Sequence, residues 1–204
     1  MNPPGKTSAV AAKRLLLLFF LFVAAVFLIQ GVLTLGVAQS TEERELKDKT
    51  PTHVPIKIKI KAEKEKLFKD LTNEHWLRDL EIEVTNTGDK PIYYLSLTIE
   101  LPEVISPSGS VIGFPLRYGR HDLMDFRNRA TPEDVPIQPG ETYVFKVPEN
   151  MVKGWEGLKS KQNPKKVELK FHVLHFGDGT GFHTTDGVPV LKKLSSNISK
   201  GDIS

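Results

Sequence analysis

Arg117, Tyr118, Arg120, His121, Arg127 and Arg129 lie within 13 consecutive positions, interleaved with Asp122 and Asp125. Guanidinium groups present fixed forks of N–H donors that match carboxylates, and a neighbouring aromatic ring offers a face to pack on. Such a set can hold an acidic sugar, a carboxylate or a partner protein. The competing reading is a solvated loop whose arginines are neutralised by Asp122, Asp125 and Glu133. The surrounding segment, RHDLMDFRNRATPED from Arg120 to Asp134, has neither helical nor strand periodicity. It exceeds the usual connection inside a domain, and loops of that kind are functional or mobile.

The remaining chemistry-bearing residues support less. Of the six histidines, His172 and His175 are three apart on an expected strand, which sets them on opposite faces while the strand stays regular. His183 approaches that strand across a hairpin without a carboxylate at ligand spacing, and His53, His75 and His121 are isolated, so no metal site is expected. The run GDGTG offers one aspartate, Asp178, against the roughly six to eight oxygens of a calcium site, and no helix follows it to favour phosphate. Asp-Gly between two aromatic-bearing arms instead has the composition of a two-residue hairpin turn. The absence of cysteine excludes disulfides, thiolate metal sites and a cysteine nucleophile. No nucleophile elbow, P-loop or carboxylate pair flanking a cleft is present. Neither catalytic residues nor a cofactor are expected; the alternative is an enzyme or ligand-binding protein with its site in the loop from Arg120 to Asp134, since catalytic triads assemble from residues distant in sequence.

Strands must position whatever the loops do. Leu80, Ile82 and Val84 alternate with Glu81, Glu83 and Thr85, and Leu95, Leu97, Ile99 and Leu101 alternate with Ser96, Thr98 and Glu100. Period two on both arms predicts two half-buried strands. The connection from Asn86 to Pro91 need not be a tight hairpin, and it is expected to arch from one sheet to the other. Val54, Ile56, Ile58 and Ile60 alternate with Pro55, Lys57, Lys59 and Lys61, which reads as an edge strand guarded by lysines rather than as a polyanion site. The segment from Glu63 to Asn73 fits either a short helical turn or a loop. Val111 to Leu116 predicts a strand near a sheet edge, where Pro115 is tolerated. Tyr143, Phe145 and Val147 follow a Pro139-Gly140 turn, and Val167, Leu169, Phe171 and Val173 define another strand. Met151, Trp155 and Leu158 fall at helical spacing and predict a plug over one end. A last strand is expected from Phe182 to Thr185.

Around this core the chain divides by composition. Lys6, Lys13 and Arg14 precede the apolar run from Leu15 to Ile29, and small residues at Gly36 and Ala38 complete the pattern of a signal peptide over residues 1–38, cut after Ala38. Left uncut, the 24 residues from Leu15 to Ala38 are long enough for a membrane anchor at roughly 1.5 Å per residue. Either way the rest is expected outside the cytoplasm, periplasmic or secreted, or anchored with the domain outside. Membrane contact is then expected only through residues 15–38. Residues 39–52 read as a polar linker, 53–191 as the folded domain, and 192–204 as a disordered tail. Beyond residue 41 the 25 basic side chains equal the 25 acidic ones. No nucleic-acid partner is therefore expected.

The string LEIEVTNTGDKPIYYLSLTIELP, with IQPGETYVFKVP some forty residues later, resembles the immunoglobulin-like or fibronectin-III-like modules of exported bacterial proteins, CARDB-type domains among them. HVLHFGDGTGF is similar to the final hairpin of small exported sandwich domains. FGDGT also occurs in PKD modules, but there the Pro-Gly strand follows it rather than precedes it. The resemblance covers roughly Val54 to Val190. It implies an all-β, Ig-like antiparallel sandwich of about seven strands, used for binding, adhesion or spacing at the cell envelope, with another envelope protein or a glycan as partner. It carries over no functional positions.

Overall fold

The computed structural model describes residues 42–158 and 163–191. The leader or anchor at 1–38 and the tail at 192–204 lie outside the described residues. Among the described residues no helix is long and apolar enough to cross a membrane.

The fold is all-β, with two sheets sharing one apolar core. Its strands are β1 (Glu45–Asp48), β2 (Ile56–Ile60), β3 (Glu81–Asn86), β4 (Tyr94–Ile105), β5 (Val111–Tyr118), β6 (Thr142–Lys146), β7 (Lys166–His175), β8 (Gly181–His183) and β9 (Val188–Val190). The smaller sheet has the order β2-β3-β6, and the larger runs β5-β4-β7-β8-β9, with β1 added beside β7. All neighbours are antiparallel except β1 and β7, which run parallel from Glu45 opposite Lys166 to Asp48 opposite Leu169. The expected arch is present, since β3 and β4 belong to different sheets. Ile82 and Val84 of β3 and Leu95, Leu97, Ile99 and Leu101 of β4 are all buried in one core. Pro115 lies on β5, at an edge of the larger sheet.

Three short helices close one end: α1 (Ala62–Lys69), α2 (Trp76–Asp79) and α3 (Glu149–Glu156). The ambiguous segment after Glu63 thus begins helical, and the expected plug is present in part: α3 buries Val152 and Trp155, whereas Leu158 lies past its end and is exposed. Trp155 of α3 meets Trp76 of α2 edge to face at 6.3 Å and Phe114 of β5 at 6.1 Å. Such offset aromatic contacts add to the apolar burial itself.

The expected linker departs most from the structure. Residues 45–48 form β1, and Arg44 just before it is only 1% exposed. Its guanidinium lies over the Trp76 ring at 4.4 Å and the Phe68 ring at 5.7 Å. Nε donates to Pro164 O at 3.0 Å, Nη1 donates to Phe68 O and, at 3.3 Å, to Asp70 O, and Nη2 donates to Asn163 Oδ1. Phe68 and Asp70 stand at the C-terminal end of α1, where unpaired carbonyls and the helix dipole favour a cation. Burial lowers the Arg44 pKa to about 10, an effect that nearby Asp70 partly offsets. A polar stretch with no apolar period therefore enters the fold because its arginine buries a stem and a flat cation instead of an aliphatic side chain.

Replacing Arg44 by Met should keep the stem but leave those carbonyls without a donor. The expected loss is about 3 kcal/mol, read as a lower urea midpoint. Arg44→Lys should recover less than half of it, because an ammonium cannot present the same fork.

Candidate ligand-binding surface

β4 begins where β7 ends, with Tyr94 opposite His175, and β5 ends at the same level, with Tyr118 opposite Leu95. Three connections therefore gather at one end: β3 to β4, β5 to β6 and β7 to β8. Asn86, fully buried at the end of β3, ties two of them. Its amide donates to Lys90 O at 2.8 Å and Ile137 O at 3.0 Å, while its Oδ1 accepts from Gly88 N at 3.0 Å. Lys90 reaches across to the third, donating to Asp178 Oδ2 at 3.1 Å. Burial would raise the Asp178 pKa, but hydrogen bonds from Thr180 and Lys90 outweigh it and hold the carboxyl at about 2.

The β7–β8 tip is longer than the expected two-residue turn. Phe176 N bonds Thr180 O at 3.0 Å around Gly177-Asp178-Gly179, and both glycines have φ of +78°. The positive φ favours glycine at 179, and a side chain there would have to displace the Arg129 guanidinium that lies over it.

The segment from Arg120 to Asp134 is a compact cover rather than an open loop. It opens with a 3-10 turn, His121–Met124, whose Leu123 is completely buried. Arg120 bonds both oxygens of Asp134 at 3.1 Å and Asp122 at 2.7 Å, and Asp134 in turn accepts from Thr131 N at 2.8 Å. Arg120 lowers the Asp134 pKa, chiefly through that hydrogen bonding. Asn128 donates to Asp122 O at 2.7 Å, and Ala130 N donates to Gly177 O at 2.9 Å, which fastens the cover to the β7–β8 tip.

The six candidate residues therefore separate. Arg117 is exposed on β5, and among the described residues it has no hydrogen-bond or ionic partner. Tyr118 donates to Val135 O at 2.6 Å and packs on Tyr143 at 4.6 Å. Arg120 braces the cover, and His121 meets Tyr94 edge-on at 6.5 Å. Arg127 folds back on Asp125, whose carboxyl its hydrogen bonds lower to about 2. The arginine pairing is thus with Asp122, Asp125 and Asp134. Arg129 is different: among the described residues its side chain makes one hydrogen bond, from Nη1 to Phe126 O at 3.3 Å. Arg127 and Arg129 border a groove of about 560 Å³ with Met124, Phe126, Val190 and Leu191.

Beneath the cover the structure places residues that sequence spacing assigned elsewhere. β7 carries a bulge at His172, since Ser96 faces Val173 while the next residue, Leu97, faces Phe171. The extra residue reverses the alternation, so Phe171 and Leu174 both point into the core. His172 and His175 consequently share the outer face, contrary to the expectation for a regular strand. His172 bonds Thr98 Oγ1 at 2.9 Å, and His175 stacks on Phe126 with ring centres 4.9 Å apart. Among the described residues no three His, Cys, Asp or Glu side chains are grouped to hold a metal ion. Compared with family models, with curated proteins and with solved structures, the chain finds no match in any of the three.

Asn86→Asp keeps the size of the side chain but turns a carboxylate oxygen toward the Lys90 and Ile137 carbonyls. It should lower stability at pH 7 by about 3 kcal/mol. Part should return near pH 4, where the carboxyl takes up a proton and can donate; thermal melts at the two pH values measure the difference.

Proposed function

We propose that the chain is an exported, non-catalytic, Ig-like module that binds an acidic partner at the cell envelope through the end carrying the cover. Strand order supports the Ig-like assignment. The sequence β2-β3-β6 in one sheet and β5-β4-β7-β8 in the other corresponds to A-B-E and C′-C-F-G of immunoglobulin-like sandwiches. β1 and β9 are additions to that plan. In this scheme the gathered connections fall at the end where related sandwiches carry variable binding loops. Export rests on Lys6, Lys13 and Arg14 preceding the apolar run from Leu15. If residues 15–38 stay in the membrane, the same module acts as an anchored adhesion or stalk protein.

The observation that carries the binding reading is the Arg129 groove. Most of the guanidinium N–H donors there lack an acceptor among the described residues, while Met124 and Leu191 leave apolar walls 48% and 77% exposed. A cation between apolar walls suits a carboxylate displayed on a partly apolar body, such as an acidic glycan or the acidic segment of an envelope protein. A catalytic reading finds less support, because the carboxylate that lines the groove, Asp125, is already engaged by Arg127.

Titration of the full chain with polygalacturonate, a polymer of sugar carboxylates, tests the groove. Arg129→Gln should weaken binding about tenfold, or roughly 1.4 kcal/mol, and Arg117→Gln, on the exposed face of β5, should leave it unchanged. Equal effects of the two substitutions would reject the groove as the site. N-terminal sequencing of the mature protein should begin at Gln39 if the leader is removed.

A further inference from the structure

The underside of the cover holds a fully buried histidine with a fixed proton pattern. His175 is 0% exposed, and its Nδ1 lies 2.7 Å from the backbone N of Gly177. The backbone group can only donate, so Nδ1 must be the acceptor and the ring proton must sit on Nε2. Nε2 has no hydrogen-bond partner among the described residues, and neither has the hydroxyl of Tyr94, the residue directly opposite on β4. A second proton on this ring would set Nδ1–H against Gly177 N–H, two donors at hydrogen-bonding distance. The contact would have to break. Gly177 is also the residue whose carbonyl holds Ala130 of the cover.

We propose that His175 is a proton-operated latch, which keeps the cover closed while the imidazole is neutral and releases it in mild acid. The groups facing the ring from every side agree with this. On its own hairpin Asp178 favours a proton, but that carboxylate is engaged by Lys90 and Thr180. From the cover, the Arg129 charge opposes protonation and the Phe126 ring covers the imidazole face. His183 of β8 meets Phe126 edge to face at 6.2 Å, and His121 meets Tyr94 likewise at 6.5 Å. Burial, the largest influence, holds the His175 pKa below its usual value. The open form therefore binds the proton more readily than the closed one. Closure is at full strength above about pH 6.5 and weakens as pH falls from there through the closed-state pKa.

Opening would dismantle the groove, whose wall from Met124 to Arg129 belongs to the cover, and would uncover Leu123, Phe126 and Tyr94. Ligand release in acid rests on the proposed role of that groove; the latch itself does not. Hydrogen exchange on the full chain without ligand tests the latch, with rates corrected for the intrinsic effect of pH. Between pH 7.5 and 5.0 the Ala130 amide should lose about tenfold or more of its protection, while the Val84 amide in the core keeps its own. His175→Asn, which retains an acceptor near Gly177 but does not titrate, should abolish the loss, and His183→Gln should preserve it. Unchanged Ala130 protection in the wild type, or an acid loss that persists in His175→Asn, would overturn the proposal. Should that variant fail to close at pH 7.5, the wild-type imidazole resonances decide. Protonation of His175 at an Ala130 amide that stays protected would equally overturn it. Polygalacturonate binding at pH 7.5, where the cover is closed, separates failure of the groove from failure of the latch.

Discussion

One extra residue in β7 decides what each end of the molecule can be. Up to Phe171 the odd positions face the core and Lys170 faces out; beyond the bulge at His172, Leu174 faces the core and His175 faces out. Without the bulge the alternation would bring His175 inward and expose Leu174, and the register with β4 would fail over its last residues. With it, the strand supplies a continuous apolar face to the core and still delivers a histidine beneath the cover. Tyr94 stands beside that histidine because β4 is regular there. Leu123 and Phe126 therefore have a surface to close upon, and the arginines are ordered by the cover they belong to rather than by solvent.

Period-two patterns made the main strands legible, and the lengths and compositions of their connections made the arch from β3 to β4 legible too. Three features were not. β1 has a single apolar residue, Leu46, and is recruited by Arg44, whose burial depends on Trp76, Phe68 and carbonyls far away in sequence. The bulge leaves no local mark, since His172 and Val173 are ordinary strand residues and the slip is visible only against β4. The cover has no period because its order comes from ion pairs and Asx contacts among Arg120, Asp122, Asn128 and Asp134. Of the candidate site, the arginine cluster was legible as a composition. Which arginine remains available was not, because that depends on which carboxylate each one reaches.

The outer face of the smaller sheet shows how the same composition can be exhausted internally. Lys59 pairs with Glu83 at 2.8 Å, and Glu81 is held between Lys61 at 3.1 Å and Lys146 at 2.9 Å. Hydrogen bonds from Lys146 and Lys61 lower the Glu81 pKa, so this ladder stays ionised over the neutral range. Cross-strand pairs of opposite charge stabilise a sheet while presenting little net field to a partner. The lysine stripe of β2 is thereby mostly spent on its neighbour β3.

The cover is arranged on the opposite principle. Arg120 and Arg127 are consumed by aspartates within two to fourteen residues of them, which fixes the backbone that carries Arg129. Arg129 itself lies over Gly179 and ends near apolar side chains, with most of its donors unused among the described residues. It also places the guanidinium charge near a buried imidazole, where it opposes a second positive charge. A ligand carboxylate on Arg129 would weaken that opposition. That local easing acts only while the cover is closed; because the ligand needs the closed cover and the proton favours the open one, occupancy of the groove and protonation of His175 oppose each other overall, as release in acid requires.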